Sequence, residues 1–246
     1  MADAHTSDTQ SLEEERVRIA CQTPVTELAL CATHPLRYTT DNLDACIALY
    51  TLESIPHALF DWCIHLIKRN LQHHYVNASD TGWSTPAKAA EMRSASPRYL
   101  VASTADPDGT GELPVGFVHF QFSMEEIDRM DASAKLRADT AAWTARGARG
   151  DPPRLCSRVS CVYCYEIQLE PDVQGSGLGT RLLLIMEDLA RAAGMHKAYL
   201  TVFKSNVRAI AFYTRRGYTI DGISPSRCLP RRRAARCSYE IMSRVL

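Results

Sequence analysis

No stretch of this chain approaches the roughly 18 consecutive apolar residues that a membrane-spanning helix requires. The opening residues, MADAHTSDTQ, are polar and lack the apolar run of a secretory leader. Ala2 stands where N-myristoylation demands glycine. There is no charge surplus either: 28 basic and 28 acidic side chains give a net charge of zero. Overall charge therefore points to neither a nucleic acid nor a membrane as partner. Nine cysteines, an odd number without a leader, predict free thiols in a reducing compartment. Cys161 and Cys164 form a C-x-x-C, but no second one accompanies it, and in a strand their spacing puts the thiols on opposite faces. His73, His74 and His119 have no ligand spacing, so no metal is expected.

What is present is ordinary globular composition, 46% hydrophobic and 23% charged. Residues 1–35 read as an N-terminal helical extension, with Ser11-Leu12-Glu13-Glu14 as a capping box opening a short helix to Ala20. The run after Thr40, DNLDACIALY, reads as a helix capped by Thr40. A second helix is predicted from Ser54 to Gln72, with Pro56 in its first turn and a core face through Ile67. Residues 76–97 are polar and turn-rich, and strands follow at Arg98–Ser103 and Val115–Phe122 around a hairpin loop. Residues 126–158 read as an insertion, mobile or partly helical.

The remainder is the most ordered. It alternates a strand at Cys161–Glu170, a helix at Gly177–Ala193, a strand at Ala198–Phe203, a helix capped by Ser205 through Arg216, and strands at Tyr218–Ile220 and Ser238–Arg244. That order predicts an α/β fold, a mixed central sheet flanked by helices. A strand feeding a Gly-rich turn into a helix is an anion cradle, because backbone N–H groups at the helix start point at the ligand. Here the turn is Gln174-Gly175-Ser176-Gly177-Leu178-Gly179, followed by Thr180. A P-loop would continue Lys-Ser/Thr, and a Rossmann turn would place its third glycine elsewhere, so both fail.

Gln174, Gly177 and Gly179 match the Q/R-x-x-G-x-G/A signature, and Asn206, Ala209, Phe212, Tyr213, Gly217 and Tyr218 match the downstream run, of the GNAT superfamily of N-acetyltransferases, which the chain resembles from about Arg98 to Ile241. That resemblance implies the GNAT fold over residues 36–246 and acetyl-CoA as co-substrate. It places Ile167, Gln168, Leu169, Gln174, Gly175, Ser176, Gly177, Leu178, Gly179, Thr180 and Asn206 against the co-substrate, and Tyr213 as proton donor to the leaving thiolate. Tyr163 to Glu170, Leu200 to Lys204, Ser224-Pro225-Ser226 and Cys237 to Ile241 resemble, more specifically, N-alpha-acetyltransferase D. This implies the α-amino group of histones H4 and H2A, which begin Ser-Gly-Arg-Gly, as acceptor, and a location in nucleus and cytoplasm. Tyr75, Trp83, Glu125, Tyr163, Tyr165 and Tyr239 then line the peptide path, and Tyr165 joins Glu166 and Tyr213 among the expected catalytic residues. The resemblance departs at Thr81, where the family has Trp, and at Ser123, where it has Asp; Glu126 or Asp128 could compensate.

The chemistry of the strand agrees. By strict alternation Tyr163, Tyr165, Ile167 and Leu169 share one face and Cys164, Glu166, Gln168 and Glu170 the other. In a central strand Glu166 is a buried carboxylate, suited to take the proton of an ammonium before it attacks a thioester. A purely structural carboxylate is the alternative, as is a core aromatic for Tyr213. The rival functions are the same fold acting on lysine side chains or another amine, and a non-catalytic acyl-CoA or histone-tail binding module. The chain carries no partner-binding helix repeat, which favours a monomer acting alone over one working on the ribosome. The basic run Arg231-Arg232-Arg233 reads as a solvated loop, with nuclear import or a CoA phosphate as rivals.

Overall fold

The computed structural model describes residues 7–109, 111–145 and 157–246. Two helices, α1 (Ser7–Gln22) and α2 (Val25–Leu30), precede the first strand. The expected capping box is not the start of α1, since Ser11 lies inside the helix. Glu13 has a tertiary task instead. Its buried carboxylate accepts from the Ser160 backbone N–H (2.9 Å) and hydroxyl (2.6 Å), and Lys135 Nζ lies 3.2 Å away.

The helix expected after Thr40 is overturned. Strands β1 (Arg37–Thr40) and β2 (Leu43–Thr51) form a hairpin there. Leu43, Ala45 and Ile47 are buried while Asp44, Cys46 and Ala48 are exposed, a period of two. Helix-forming Ala and Leu are outweighed because β3 offers β2 a full antiparallel partner. Helix α3 (His57–Asn77) starts directly after Pro56 and buries Phe60, Cys63, Ile64, Leu66 and Ile67. The stretch 76–97, read as turns, contains α4 (Thr85–Met92), whose N-cap Ser84 accepts from the Ala87 N–H. Strands β3 (Arg98–Ala105) and β4 (Glu112–Glu126) flank the expected hairpin loop. Helix α5 (Arg129–Ala145) occupies much of the expected insertion, and residues 146–156 of it lie outside the described residues.

There follow β5 (Arg158–Leu169), a 3₁₀ turn at Pro171–Val173, α6 (Leu178–Ala192), β6 (Lys197–Phe203), α7 (Val207–Arg215), β7 (Thr219–Ile220), α8 (Pro225–Cys228), α9 (Arg231–Ala234) and β8 (Tyr239–Val245). Asn206, not Ser205, caps α7, accepting from the Ala209 N–H at 3.1 Å. The basic run is therefore a single helical turn, with Arg231, Arg232 and Arg233 exposed and Lys204 Nζ donating to the Ala234 and Cys237 carbonyls behind it.

Among the described residues the strands form one sheet, ordered β1-β2-β3-β4-β5-β6-β8-β7. Among these described strands only β5 and β6 pair in parallel. One face packs on α1 and α6 through Leu100, Val118, Phe120, Val162, Leu182 and Met186; the other packs on α3 through Tyr99, Val101 and Phe117. Burying each such large apolar side chain contributes about 2 kcal/mol.

Candidate active site

Two irregularities of the sheet make the site. The first lies between β4 and β5. His119 pairs with Glu166 and Phe120 with Cys164, so Tyr165 faces no partner residue. This one-residue β-bulge corrects the strict alternation expected for β5. Val162 and Cys164 pack towards α6, and beyond the bulge Ile167 and Leu169 do so. Glu166 and Gln168 consequently share the opposite face with Tyr163, not with Cys164. The second irregularity is the parting of β5 from β6. Their ladder runs from Cys161–Lys197 to Cys164–Leu200 and stops. Beyond it the strands open into a cavity of about 660 Å³, walled by Glu166, Tyr213, Tyr163, Tyr165, Tyr75 and Tyr239 among others.

Glu166 is buried at the base of this cavity. Its Oε2 accepts from Gln168 Nε2 (2.8 Å), and its Oε1 from Lys88 Nζ (3.1 Å). Burial pushes the carboxyl above the usual range, and Lys88 and Gln168 only partly offset this. Lys88 also donates to Glu91 (2.8 Å), and its ammonium stands 5.2 Å from the Tyr75 ring centroid. The two carboxylates hold it firmly protonated. Tyr213 on α7 is buried, and desolvation raises its hydroxyl well above 10, with Cys164 and Glu166 adding to the effect. It remains a phenol, able to donate.

The expected peptide-path residues are mostly brought together. Tyr75, Glu125, Tyr163, Tyr165 and Tyr239 line the cavity. Trp83 stands behind the wall, edge-on to Tyr75 at 5.3 Å, with its Nε1–H donating to Thr85 Oγ1. Tyr163 and Thr201 hydroxyls bond across the strand gap at 2.5 Å. Glu125 is half-buried, which raises its carboxyl; Arg158 pulls in the opposite direction. Its neighbour Glu126 is exposed, and the carboxylate of Asp128 accepts the Met130 and Asp131 N–H groups, so Asp128 caps α5 rather than standing in for the missing acid. His119, stacked between Tyr99 (5.1 Å) and Tyr165 (5.2 Å), has no hydrogen-bond partner on either nitrogen among the described residues, and burial lowers its pKa to about 3.

The Gly-rich turn lies beside the cavity, not in its wall. Gly175 and Gly177 adopt φ of 81° and 93°; the N-cap Gly177 offers no side chain, and Ser176 Oγ accepts from the Leu178 N–H at 3.3 Å. A Cβ on Gly177 would lie 2.3 Å from the Tyr38 hydroxyl, and one on Gly179 3.3 Å from Leu169. The turn thus offers bare backbone to an anion, which fits the diphosphate of CoA. Gln174 Nε2 donates to the Leu169 carbonyl (3.3 Å), Ser176 Oγ to Val173, and Asn206 serves as the α7 cap. Leu178 is core and Thr180 half-buried. The side chains of Ile167 and Leu169 point into the α6 core and that of Gln168 to Glu166, so these three can meet a co-substrate through their backbone. Sequence reasoning missed Lys88, Glu91, Asp80, Thr201 and Ser238, all in the cavity wall. The first two ride on α4, whose Ser84-Thr85-Pro86 start was a readable helix signal.

Comparison with known proteins places this geometry. The family model "Acetyltransferase (GNAT) family" matches residues 64–218, more than half of the chain. Two curated proteins of Bacillus subtilis (strain 168), the uncharacterized proteins YdhI and YxbD, are 36% and 34% identical to it over 63 and 58 residues, 26% and 24% of this chain. The matches span 39% and 36% of those relatives' own lengths. Among solved structures, the GNAT domain of S. lividans PAT superposes with a TM-score of 0.52 at 13% identity, covering 92% of this chain and all (100%) of that one. The NatC complex bound to Gag peptide and CoA gives 0.48 at 14% identity, covering 81% and 98%. At such identity the first is a likeness of fold.

Proposed function

The chain belongs to the Acetyltransferase (GNAT) family, an acetyltransferase with acetyl-CoA as co-substrate, and on that premise we propose that its acceptor is the free α-amino group of a protein N-terminus. The observation that carries this reading is Glu166, a buried carboxylate facing the same cavity as Tyr213 where β5 and β6 part. An α-ammonium, with a pKa near 8, must shed its proton before it attacks. Glu166 takes that proton, the neutral amine nitrogen bonds to the thioester carbon, and the carbon–sulfur bond breaks; the Tyr213 hydroxyl protonates the departing sulfur and is reprotonated by the second proton that the nitrogen releases on becoming the amide. The tyrosine-lined approach past Tyr75, Tyr163 and Tyr239 suits an extended peptide end.

The finer reading is a Ser-Gly-Arg-Gly terminus, as in histones H4 and H2A, with the enzyme in the nucleus and cytoplasm where they are met. It is supported by the resemblance of the β5, β6 and β8 strings and by Glu125, a carboxylate on the cavity wall for the arginine. Mass measurement tests it: incubation with acetyl-CoA and a Ser-Gly-Arg-Gly peptide acetylates the free peptide and leaves the N-terminally blocked one untouched. Acetylation of both would shift the reading to side-chain amines. Acetylation of neither, with CoA bound, would make the protein a binding module.

A further inference from the structure

Glu166 has one side-chain donor on each oxygen, and the two differ in charge. Gln168 already supplies a neutral donor to one oxygen. The other oxygen is met by a full cation, delivered from α4 by a lysine that is itself 7% exposed. Burying an ammonium is unfavourable unless something specific holds it. Here two carboxylates, Glu166 and Glu91, and the face of the Tyr75 ring hold it. The charges of this cluster sum to one negative, so it accommodates one further cation. An incoming ammonium supplies that cation, and the proton it surrenders to Glu166 keeps the account balanced.

We propose that Lys88 is a positioning residue for proton transfer: it keeps the buried Glu166 ionised and oriented, and its fixed charge favours the neutral form of the acceptor amine beside it. The groups facing Glu166 from the surrounding elements do not substitute for it. His119 on β4 is neutral, the Cys164 thiol and the Tyr75 and Tyr213 phenols are protonated, and Glu91 carries the opposite sign. Lys88 is not an acceptor itself, since a lysine held by two carboxylates has no lone pair to offer.

This inference rests on Glu166 being the base, and the experiment separates the two. The Glu166 carboxyl is titrated in the free protein by carbon-13 NMR, its resonance identified by its loss in Glu166→Gln. Lys88→Met and Lys88→Gln, the second keeping a donor without charge, raise its midpoint by at least about one pH unit, and Lys88→Arg restores it. With acetyl-CoA and the Ser-Gly-Arg-Gly peptide, the acid limb of kcat/KM moves upward by the same amount. The rate then falls about tenfold below the limb and recovers at high pH, with KM for acetyl-CoA unchanged. An unmoved Glu166 midpoint in a folded Lys88→Gln protein would overturn the proposal for Lys88 alone. Full activity of Glu166→Gln at every pH would overturn the base assignment beneath it.

Discussion

The Gly-rich turn yields a prediction that separates backbone strain from side-chain collision. Gly175 and Gly177 both have positive φ, but a Cβ on Gly175 meets nothing within 4 Å, whereas one on Gly177 meets the Tyr38 hydroxyl at 2.3 Å. Placing alanine in a left-handed conformation costs about 1–2 kcal/mol, so Gly175→Ala should lose about that much. Gly177→Ala adds the displacement of Tyr38, whose hydroxyl donates to the Ser176 carbonyl at 2.6 Å, a bond worth about 1 kcal/mol net. A total loss of about 2–3 kcal/mol is expected, with CoA binding weakened about tenfold or more because the cradle amides move with the turn. Tyr38→Phe removes the colliding atom and leaves the ring carbon at 3.4 Å, an ordinary distance. The double variant should therefore cost about 1 kcal/mol less than the sum of the singles. Chemical denaturation gives the stabilities and isothermal titration with CoA the affinities. If Gly177→Ala costs no more than Gly175→Ala, or if the two singles simply add, the contact of Tyr38 with the turn is not what requires glycine there.

Two further outcomes follow from the same geometry. Tyr213→Phe keeps the ring in the core but removes the proton donor, so kcat falls about 100-fold at constant melting temperature; because the hydroxyl's pKa is raised well above 10, the wild-type kcat shows no alkaline limb from this group below about pH 10, and thiol release against pH checks both. Glu13 links α1 to β5 and α5. Burial raises its carboxyl, but the Ser160 hydrogen bonds, Lys135 and Arg16 outweigh this and leave it below its ordinary 4.5. Its stabilisation is therefore complete above about pH 4.5 and lost as pH falls through the lower folded value. Glu13→Gln should be about 1–3 kcal/mol less stable at neutral pH and show a flatter acid decline in thermal melts; an unchanged acid slope would show that this strap does not couple to folding.

The elements legible from sequence are those whose cause is local. The β5–turn–α6 unit announces itself by glycine placement and a one-sided apolar stripe, and α7 by its Gly217 stop and a polar cap read one residue early, at Ser205 instead of Asn206. Cofactor class follows from such a unit, because an anion cradle is made by backbone within a few residues. The misreadings had non-local causes. The run Leu43–Tyr50 is compatible with helix until β3 is there to pair with it. The Tyr165 bulge exists only as a mismatch between β4 and β5, and it decides which face Glu166 occupies. The ion pair between Lys88 and Glu166 spans 78 residues of chain. No spacing rule reaches that far, since the distance between such groups is set by how α4 and β5 pack and not by the number of residues between them. The sequence by itself determined the class of co-substrate; the tertiary structure alone decided what stands beside Glu166.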